Sequence, residues 1–241
     1  HNFVLFRDQQ AMTPDDHMAF SRLFGTLDHH TTTSKWNLPD HQKIAVVSNV
    51  KVKGEHIGAP KSGRSWHSDG QYTKYPCSAS VLVAREVPPE KGDTLFTNMY
   101  RAYDKIPEAL KKTLAGRTAL QVYDFHMTET VDIDGDLTGI HHLSQPIFVQ
   151  HPVSGRTALY VNRLMTARVD GLPRDESDAI LSELWDIAEA PENVYEHVWA
   201  EGELAMWDNY CSCHARTDFP ATERRLLRRC TLVGQEMIAA V

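Results

Sequence analysis

The stretch that decides the fold is WDNYCSCHARTDFPATERRLLRRCT, residues 207–231. It places one histidine, His214, in a turn-rich segment and then runs into two adjacent pairs of arginines. A second polar stretch, SWHSD at 65–69, stands far upstream. Side chains from two such distant segments can share one ligand when strands fold back into a common barrel mouth. We therefore expect the two stretches to meet at one site.

The upstream stretch offers two metal ligands at strand spacing. His67 and Asp69 are two positions apart, and side chains i and i+2 of an extended strand point to the same face. With His214 they form a set of two histidines and one carboxylate, which leaves open positions on the metal and suits non-haem Fe(II) that activates oxygen. A lone H-x-D is common, so the prediction depends on the pattern around both segments.

The arginine-rich run at 224–232 mixes charge with strand-forming residues. As a strand it would present Arg225 and Arg229 on one face, and neither face would be cleanly apolar. Buried charges are costly unless paired, and the planar guanidinium suits a carboxylate or sulfonate. Two interpretations remain open from the pattern: a strand that binds an anion, or an exposed edge strand with solvated arginines.

The chain resembles the taurine dioxygenase (TauD/TfdA-like) family of Fe(II)- and 2-oxoglutarate-dependent oxygenases. The order and spacing of several short motifs carry this resemblance and are far more specific than H-x-D alone. The motifs are WHSD at 66–69, GDT at 92–94, HPVSG at 151–155, ALYVN at 158–162, and WDN at 207–209, followed by His214 and the pair Arg224–Arg225.

The resemblance implies a catalytic centre in which His67, Asp69 and His214 bind Fe(II). It further implies that Arg225 and Thr94 bind the distal carboxylate of 2-oxoglutarate. Oxygen (O2) is the other expected cosubstrate. The expected reaction of this oxidoreductase hydroxylates, hydroxylates and cleaves, or desaturates a small anionic organic substrate, with release of succinate and CO2. The alternative from another class is a non-catalytic, metal-binding jelly roll of the cupin type.

The substrate pocket is predicted at five positions, partly from the resemblance and, for Tyr72 and Phe125, from their place in the chain. Arg229 is expected to contact an anionic group of the substrate. The other four candidates are His30, for which an exposed polar loop is the alternative, and Tyr72, Phe125 and Met165.

Two departures from the family pattern bear on the substrate. Gly63 stands where taurine-cleaving members carry a substrate-contacting asparagine, and Met165 stands near a family phenylalanine, which makes this wall more pliable. They predict a substrate other than taurine.

Composition excludes several other classes of function. The net charge of −7 argues against nonspecific binding to nucleic acid and against an anionic membrane surface. No apolar run approaches the ~20 residues of a membrane span, and no secretory signal is present. The chain does not begin with Met, so we expect a missing N-terminal segment. The sequence leaves a homo-oligomer open.

The four cysteines are interpreted as reduced thiols, which indicates a cytoplasmic protein. The run Cys211-Ser212-Cys213-His214 has the ligand types of a zinc site. It lacks the second ligand pair that structural zinc usually needs, so zinc is the weaker interpretation.

Many short strands and few helices predict a mainly β fold with flanking helices (α+β), a double-stranded β-helix or jelly roll, in one domain over residues 1–241. Thr13 and Pro14 begin a helix that Gly25 ends, with Met18, Phe20, Leu23 and Phe24 as its apolar side. Residues 121–146 are interpreted as a flexible insert that acts as a lid. The other predicted strands are 3–6, 43–52, 80–87, 94–98, 147–150, 158–162, 194–199 and 204–207, and the other helices are 107–114 and 173–188.

Overall fold

The computed structural model describes residues 2–28, 35–60, 62–123, 125 and 131–240. Within these residues the fold is mainly β with four α-helices, as predicted. The strands are β1 (Phe3–Phe6), β2 (Asn37–Leu38), β3 (His41–Ser48), β4 (Lys51–Val52), β5 (Glu55–His56), β6 (Ala79–Glu86), β7 (Thr94–Asn98), β8 (Thr118–Val122), β9 (His142–Pro146), β10 (Phe148–Gln150), β11 (Thr157–Leu159), β12 (Thr166–Val169), β13 (Val194–His197), β14 (Leu204–Asp208), β15 (Ser212–Arg216), β16 (Leu226–Thr231) and β17 (Ile238–Ala239). The helices are α1 (Pro14–Arg22), α2 (Met99–Lys105), α3 (Glu108–Leu114) and α4 (Arg174–Ala188), with a 3-10 turn at Pro191–Asn193.

The largest sheet has six antiparallel strands in the order β1-β14-β6-β16-β3-β2. Its central strands are covered on both faces, because Val81 and Cys230 pack in one apolar cluster while Leu82 and Leu227 pack in another. The arginine-rich strand β16 therefore lies inside the sheet between β6 and β3. The exposed-edge interpretation of this run is wrong, and its arginines must find partners within the protein or in a ligand.

A smaller sheet, β13-β7-β15, carries the other half of the site. In its register His214 lies opposite Phe96, and Arg216 lies opposite Thr94. Strands distant in sequence are neighbours in both sheets, the crossover pattern expected of a jelly roll. The remaining three-stranded sheets, β12-β8-β9 and β11-β10-β17, complete the β layers, and the helices α2 and α4 pack beside them in the largest core cluster.

Helix α1 begins as predicted but buries a different side. Thr13 and Asp16 form a capping box, with the Thr13 Oγ1 accepting from the Asp16 N–H at 3.1 Å. The helix ends at Arg22 rather than at Gly25, and Leu23 and Phe24 are 77% and 50% exposed. Its buried side holds His17, Met18 and Ser21, so of the predicted apolar side only Met18 is buried, with Phe20 packed partly against the same cluster.

The prediction of an insert at 121–146 is wrong at both ends. Strand β8 pairs along its whole length with β9, and Ile133 is buried in a small apolar cluster with Leu120 and Val122 of β8 and Ala167 of β12. Strand β9 (HLSQP) is polar because its alternate residues are exposed, so its sequence gives no strand signal. Residues 124 and 126–130 lie outside the described part of the chain, and motion of this segment stays a prediction.

Local assignments near the site also change. His214 lies in the middle of strand β15, all of whose residues are buried, rather than in a turn. Conversely, His67 makes only an isolated bridge to His214, and Asp69 begins a turn, so H-x-D is not a regular strand. The small polar residues of β15 gave no strand signal, whereas the i, i+2 spacing of His67 and Asp69 wrongly suggested a strand. The predicted strand at 43–52 is likewise two strands, β3 and β4.

The remaining elements follow the predictions more closely. The strands at 3–6, 80–87, 94–98 and 204–207 form within one or two residues of the expected bounds, as do α3 and α4. The hairpin of β10 and β11 is also present, although β11 ends at Leu159, three residues before the expected end. Helix α2 and the strands β12 and β17 were not predicted. All four cysteines are buried and free. Within the described ranges, no helix has the length and apolarity needed to cross a bilayer.

Candidate active site

Two histidines from distant segments are joined through their backbones. The His67 N–H donates to the His214 carbonyl at 3.0 Å, and the His214 N–H donates to the His67 carbonyl at 2.8 Å. Residues directly opposite each other in an antiparallel pair project to the same side. The two imidazole centroids accordingly lie 4.1 Å apart, and the predicted partnership of the two stretches is present in the structure.

Asp69 completes a compact, buried group with these histidines. The potential ligand atoms of the three side chains lie within 4.8 Å of one another, and Asp69 Oδ1 is 3.8 Å from His67 Nε2. His67 Nδ1 lies 2.8 Å from the Ser65 carbonyl, which only accepts, so Nδ1 carries the hydrogen and Nε2 presents its lone pair. A lone pair facing a carboxylate across a buried gap fits a metal cation, and the donor set fits Fe(II).

The WDN motif supports the carboxylate of Asp69. Ser80 Oγ donates to Asp69 Oδ2 at 2.5 Å, and Asn209 Nδ2 donates to Ser80 Oγ at 3.0 Å. Trp207 Nε1 in turn donates to Asn209 Oδ1 at 3.1 Å, while its ring lies 4.8 Å from the His214 ring. Sequence reasoning missed Ser80 and Asn209. Only the position of Asn209 inside the quoted motif offered a signal.

Arg229 is the charged partner of Asp69. Its Nη1 donates to Asp69 Oδ1 at 2.8 Å, and both side chains are largely buried. Burial alone would raise the pKa of Asp69, but Arg229 and the two histidines hold that pKa below its ordinary value. Asp69 is therefore an anionic carboxylate ready to bind a cation. Arg229 also lines the adjoining cavity, where we predict its contact with the substrate.

Arg225 lies beyond the metal group as a buried cation with no carboxylate in ion-pair contact among the described residues, although the charge of the buried Asp93 acts on it from farther away. Only 3% of this residue is exposed, and its Nε donates to the Gly92 carbonyl at 2.9 Å. Within the described residues, its two Nη atoms have no hydrogen-bond or ion-pair partner. Burial, followed by the charge of Arg216, lowers the pKa of Arg225 to about 9, so it stays cationic at neutral pH. A buried, uncompensated guanidinium is a site for an anion.

Thr94 lies beside this cation with its hydroxyl held by a tryptophan. Trp199 Nε1 donates to Thr94 Oγ1 at 2.9 Å. Because an indole N–H is only a donor, the hydroxyl hydrogen of Thr94 remains available for another acceptor. The segment at 92–94 thus offers a hydroxyl donor next to the Gly92 carbonyl that holds Arg225. This is the arrangement that a carboxylate ligand needs.

A cavity of about 840 Å³ opens from the metal group. Tyr72, Met165, Arg229 and Gly63 line it, so these predicted positions come together around one space. Its other side chains are mostly aromatic, apolar or basic, including Trp36, Tyr75, Tyr123, Leu164, Lys35, Arg64 and Lys74.

Two predicted pocket residues are not placed at this cavity. Phe125 packs instead against the small cluster of Leu120, Val122 and Ile133, and its N–H donates to the Val122 carbonyl at 3.3 Å at the end of β8. It does not belong to the described lining of the cavity. His30 lies outside the described residues, so its predicted contact stays a prediction.

A second group of potential metal ligands is occupied by internal hydrogen bonds. His151 Nδ1 accepts from the N–H groups of Val153 and Ser154, so its Nε2 donates to Asp208 Oδ2 at 2.9 Å. Burial raises the pKa of the neighbouring Cys211 thiol well above its usual range and keeps it protonated. This group therefore joins the HPVSG turn to the WDN motif and has no free ligand atom on His151.

Comparisons with known proteins agree with this geometry. The family described as "Taurine catabolism dioxygenase TauD, TfdA family" matches residues 1–231. The chain is 32% identical over 245 residues to an alpha-ketoglutarate-dependent 2,4-dichlorophenoxyacetate dioxygenase of Burkholderia sp. (strain RASC), covering 96% of this chain and 82% of that protein. It is 32% identical over 250 residues to a pentalenolactone F synthase of Streptomyces avermitilis, covering 95% and 80%.

Among solved structures, AAD-2 in complex with Mn(II) and N-oxalylglycine superposes with a TM-score of 0.83 at 26% identity, over 98% of this chain and 86% of that one. The likeness covers nearly the whole chain, so it includes both halves of the site as well as the fold. It confirms the predicted fold class and favours an enzyme over a non-catalytic jelly roll.

Proposed function

Because this chain belongs to the TauD, TfdA family and is an Fe(II)- and 2-oxoglutarate-dependent dioxygenase, we propose that His67, Asp69 and His214 hold its iron. The observation that carries this assignment is the buried group of two imidazoles and one carboxylate, with its ligand atoms within 4.8 Å of one another. When bound, the iron together with 2-oxoglutarate activates oxygen and supplies the oxidising power, with release of succinate and CO2.

The cosubstrate site is assigned to the other end of the interior face of β7 and β15, the face that carries His214. Arg225 binds the distal carboxylate of 2-oxoglutarate, and Thr94 donates its hydroxyl hydrogen to it. The support is the unpaired guanidinium of Arg225 and the orientation that Trp199 imposes on Thr94. Both groups are fixed by protein contacts before any ligand arrives, so binding requires little reorganisation.

The remaining roles of the chain are positioning and protection. The Ser65 carbonyl fixes the His67 tautomer, and Ser80 with Arg229 fixes the orientation of Asp69. Burial of these residues excludes water from the oxidising centre, which limits side reactions. Substrate enters the adjoining cavity, where Tyr72 and Met165 supply an apolar wall and Arg229 supplies a positive charge.

The substrate is a small anionic organic molecule other than taurine. The cavity is far larger than taurine requires, and Gly63 contributes no side chain where an asparagine would contact that substrate. Basic residues at the cavity, Lys35, Arg64 and Lys74, favour an anion, and the aromatic wall favours an apolar body. The relative named for a phenoxyacetate acts on a molecule of this kind.

The test is succinate formation by purified protein with Fe(II), 2-oxoglutarate and oxygen, across sulfonates, alkyl sulfates, aryloxy acids and amino acids. We expect one anionic class to stimulate succinate release well above the substrate-free rate. Slow turnover that no compound stimulates would support the iron and cosubstrate sites but reject the tested substrate classes. No succinate from protein shown to contain iron would refute the proposed sites.

Two further proposals concern the whole chain. We propose that residues 1–241 act as one domain, because strands from both ends share the largest sheet. We place the protein in the cytoplasm, which the four free, buried thiols support. Fractionation of cells followed by detection of the protein tests the second proposal. Limited proteolysis that released a stable fragment would contradict the first.

A further inference from the structure

Strand β15 carries a second arginine into the interior of the site. Arg216 follows His214 by two positions, so the two side chains share a face of the strand. In the pairing with β7, Arg216 lies directly opposite Thr94, and opposed residues project to the same side. The face that presents His214 at one end therefore presents Arg216 and Thr94 at the other.

Arg216 is buried without a buried counterion. Its side chain is only 5% exposed, and its polar contacts are neutral: Nε donates to the Ser62 carbonyl at 3.3 Å, and Nη1 donates to the Thr217 carbonyl at 3.0 Å. The nearest carboxylate, Asp218, is 3.8 Å away and 77% exposed, and it also pairs with Arg64 at 3.2 Å. An exposed, shared carboxylate compensates a buried cation poorly.

Arg216 and Arg225 border the same short segment of chain. Arg225 is held at the Gly92 carbonyl, while Thr217, next to Arg216, exchanges hydrogen bonds with Asp93 in both directions. Two like charges near each other in a water-poor interior repel, and an anion between them removes that cost. A neutral donor could make the same contacts with the backbone carbonyls at a smaller desolvation cost. The positive charge of Arg216 therefore indicates that an anion binds here.

We propose that Arg216 is a second cation of the 2-oxoglutarate site and sets its preference for a cosubstrate with a distal carboxylate. Two positions along a strand span roughly 7 Å, which suits a five-carbon diacid lying along the face from His214 toward Arg216. The inference rests on the proposed function and deepens it. It assigns a role in cosubstrate specificity to a residue outside the recognised motifs.

The experiment is calorimetric titration of 2-oxoglutarate into Mn(II)-loaded protein, in which no turnover occurs. Arg216→Met removes the charge and keeps the length, and Arg216→Lys keeps the charge. We expect Kd to rise about tenfold in Arg216→Met and at most about threefold in Arg216→Lys. The matched control is Arg224→Met, which removes an exposed arginine paired with Glu86 and should leave Kd unchanged.

A second ligand separates charge recognition from a structural role. 2-Oxopentanoate has the length of 2-oxoglutarate but no distal carboxylate, so its Kd should be unchanged in Arg216→Met. The preference for 2-oxoglutarate over 2-oxopentanoate should therefore fall about tenfold. Equal weakening of both ligands, or equal weakening by Met and Lys, would assign Arg216 a purely structural role and overturn the proposal.

The outcomes also separate this inference from the proposed function. If Arg225→Met weakens 2-oxoglutarate binding and Arg216→Met does not, only the present inference is wrong. If neither variant changes binding, the assignment of the cosubstrate site itself is wrong. Melting temperatures establish that each variant is folded, and Arg216→Gln takes the place of Arg216→Met if the latter does not fold.

Discussion

The interior face of β15 has a metal end, around His214, and a cosubstrate end, around Arg216, and these two ends differ in how their charges are balanced. At the His214 end, Asp69 is paired with Arg229 and hydrogen-bonded to Ser80. At the Arg216 end, neither buried guanidinium group is in ion-pair contact with a buried carboxylate among the described residues, although the charge of the buried Asp93 acts on Arg225 from farther away. The metal end is thus largely balanced by the protein, whereas the cosubstrate end depends on an incoming anion for its balance.

This difference predicts how the geometry and the electrostatic energy of each end respond when its ligand is absent. The metal end keeps its geometry through internal hydrogen bonds. The cosubstrate end carries an electrostatic cost that ligand binding relieves, so this relief should lower the Kd for 2-oxoglutarate and thereby increase the stabilisation that the ligand gives to the folded protein. Single-residue variants at the metal end and at the cosubstrate end can therefore test the difference.

Asp69→Ala should have the largest effect, because it removes both a metal ligand and the partner of Arg229. We expect kcat to fall by more than about a thousandfold, since loss of a group that only supports a ligand already costs 10–100-fold. Succinate assays and metal analysis check this result, with circular dichroism as the control for folding. Full turnover by Asp69→Ala would show that the metal end has been assigned wrongly.

Arg225→Met removes the main cation of the cosubstrate end. The KM for 2-oxoglutarate should rise about a hundredfold, with a small change of kcat at saturation, because the lost charge-assisted contacts act in a buried site. Iron content should stay unchanged, which distinguishes this end from the metal end. A variant with normal KM would remove the distinction between the two ends.

Arg229→Ala tests the residue that connects the metal end to the substrate cavity. We expect the KM for an anionic substrate to rise about thirtyfold and the KM for 2-oxoglutarate to rise at most threefold. Assays at saturating Fe(II) correct for any weaker support of Asp69. Equal changes in both KM values would mean that Arg229 acts only on the metal carboxylate and does not recognise substrate.

Trp199→Phe should have the smallest effect, because it removes only the hydrogen bond that orients Thr94. The ring position can be kept by Phe, since Trp199 packs in an apolar cluster with Phe96 and Trp207. We expect a three- to fivefold rise in the KM for 2-oxoglutarate, the size of one neutral hydrogen bond. Thr94→Val, which removes the donor itself, should cost more. The reverse order would contradict the role given to Trp199.

The metal end was predicted from short motifs and from the family resemblance that they carry, since H-x-D alone is too common to indicate a metal site. His67 and Asp69 are close in sequence, and the distant His214 was found because it stands in a motif of its own. The structure then brings all three together, as expected, although the local elements differ from the prediction. A motif identifies which side chains the site needs. Whether the segment that carries them forms a strand or a turn depends on the segment with which it pairs.

The cosubstrate end was predicted less completely for a physical reason. Arg225 and Thr94 came from the resemblance, but Arg216 acts through the pairing of β15 with β7, and Trp199 acts through a hydrogen bond from just beyond the end of the neighbouring strand β13. No local pattern contains that register. Had Ser212–Arg216 been recognised as a strand, the two-residue spacing would have placed the side chain of Arg216 on the same interior face as that of His214. Its small polar residues gave no such signal.

The burial of the thiols has a consequence for the working life of the enzyme. Cys213 directly precedes His214 in β15, with its side chain on the opposite face of the strand, and Cys77 lines the substrate cavity, so both residues belong to the immediate surroundings of the oxidising centre. Burial raises the pKa of each thiol to about 12, and the thiolate is the form that reacts with oxidants. An enzyme that activates oxygen thereby keeps these two thiols in their least reactive form, which slows their oxidation during repeated turnover.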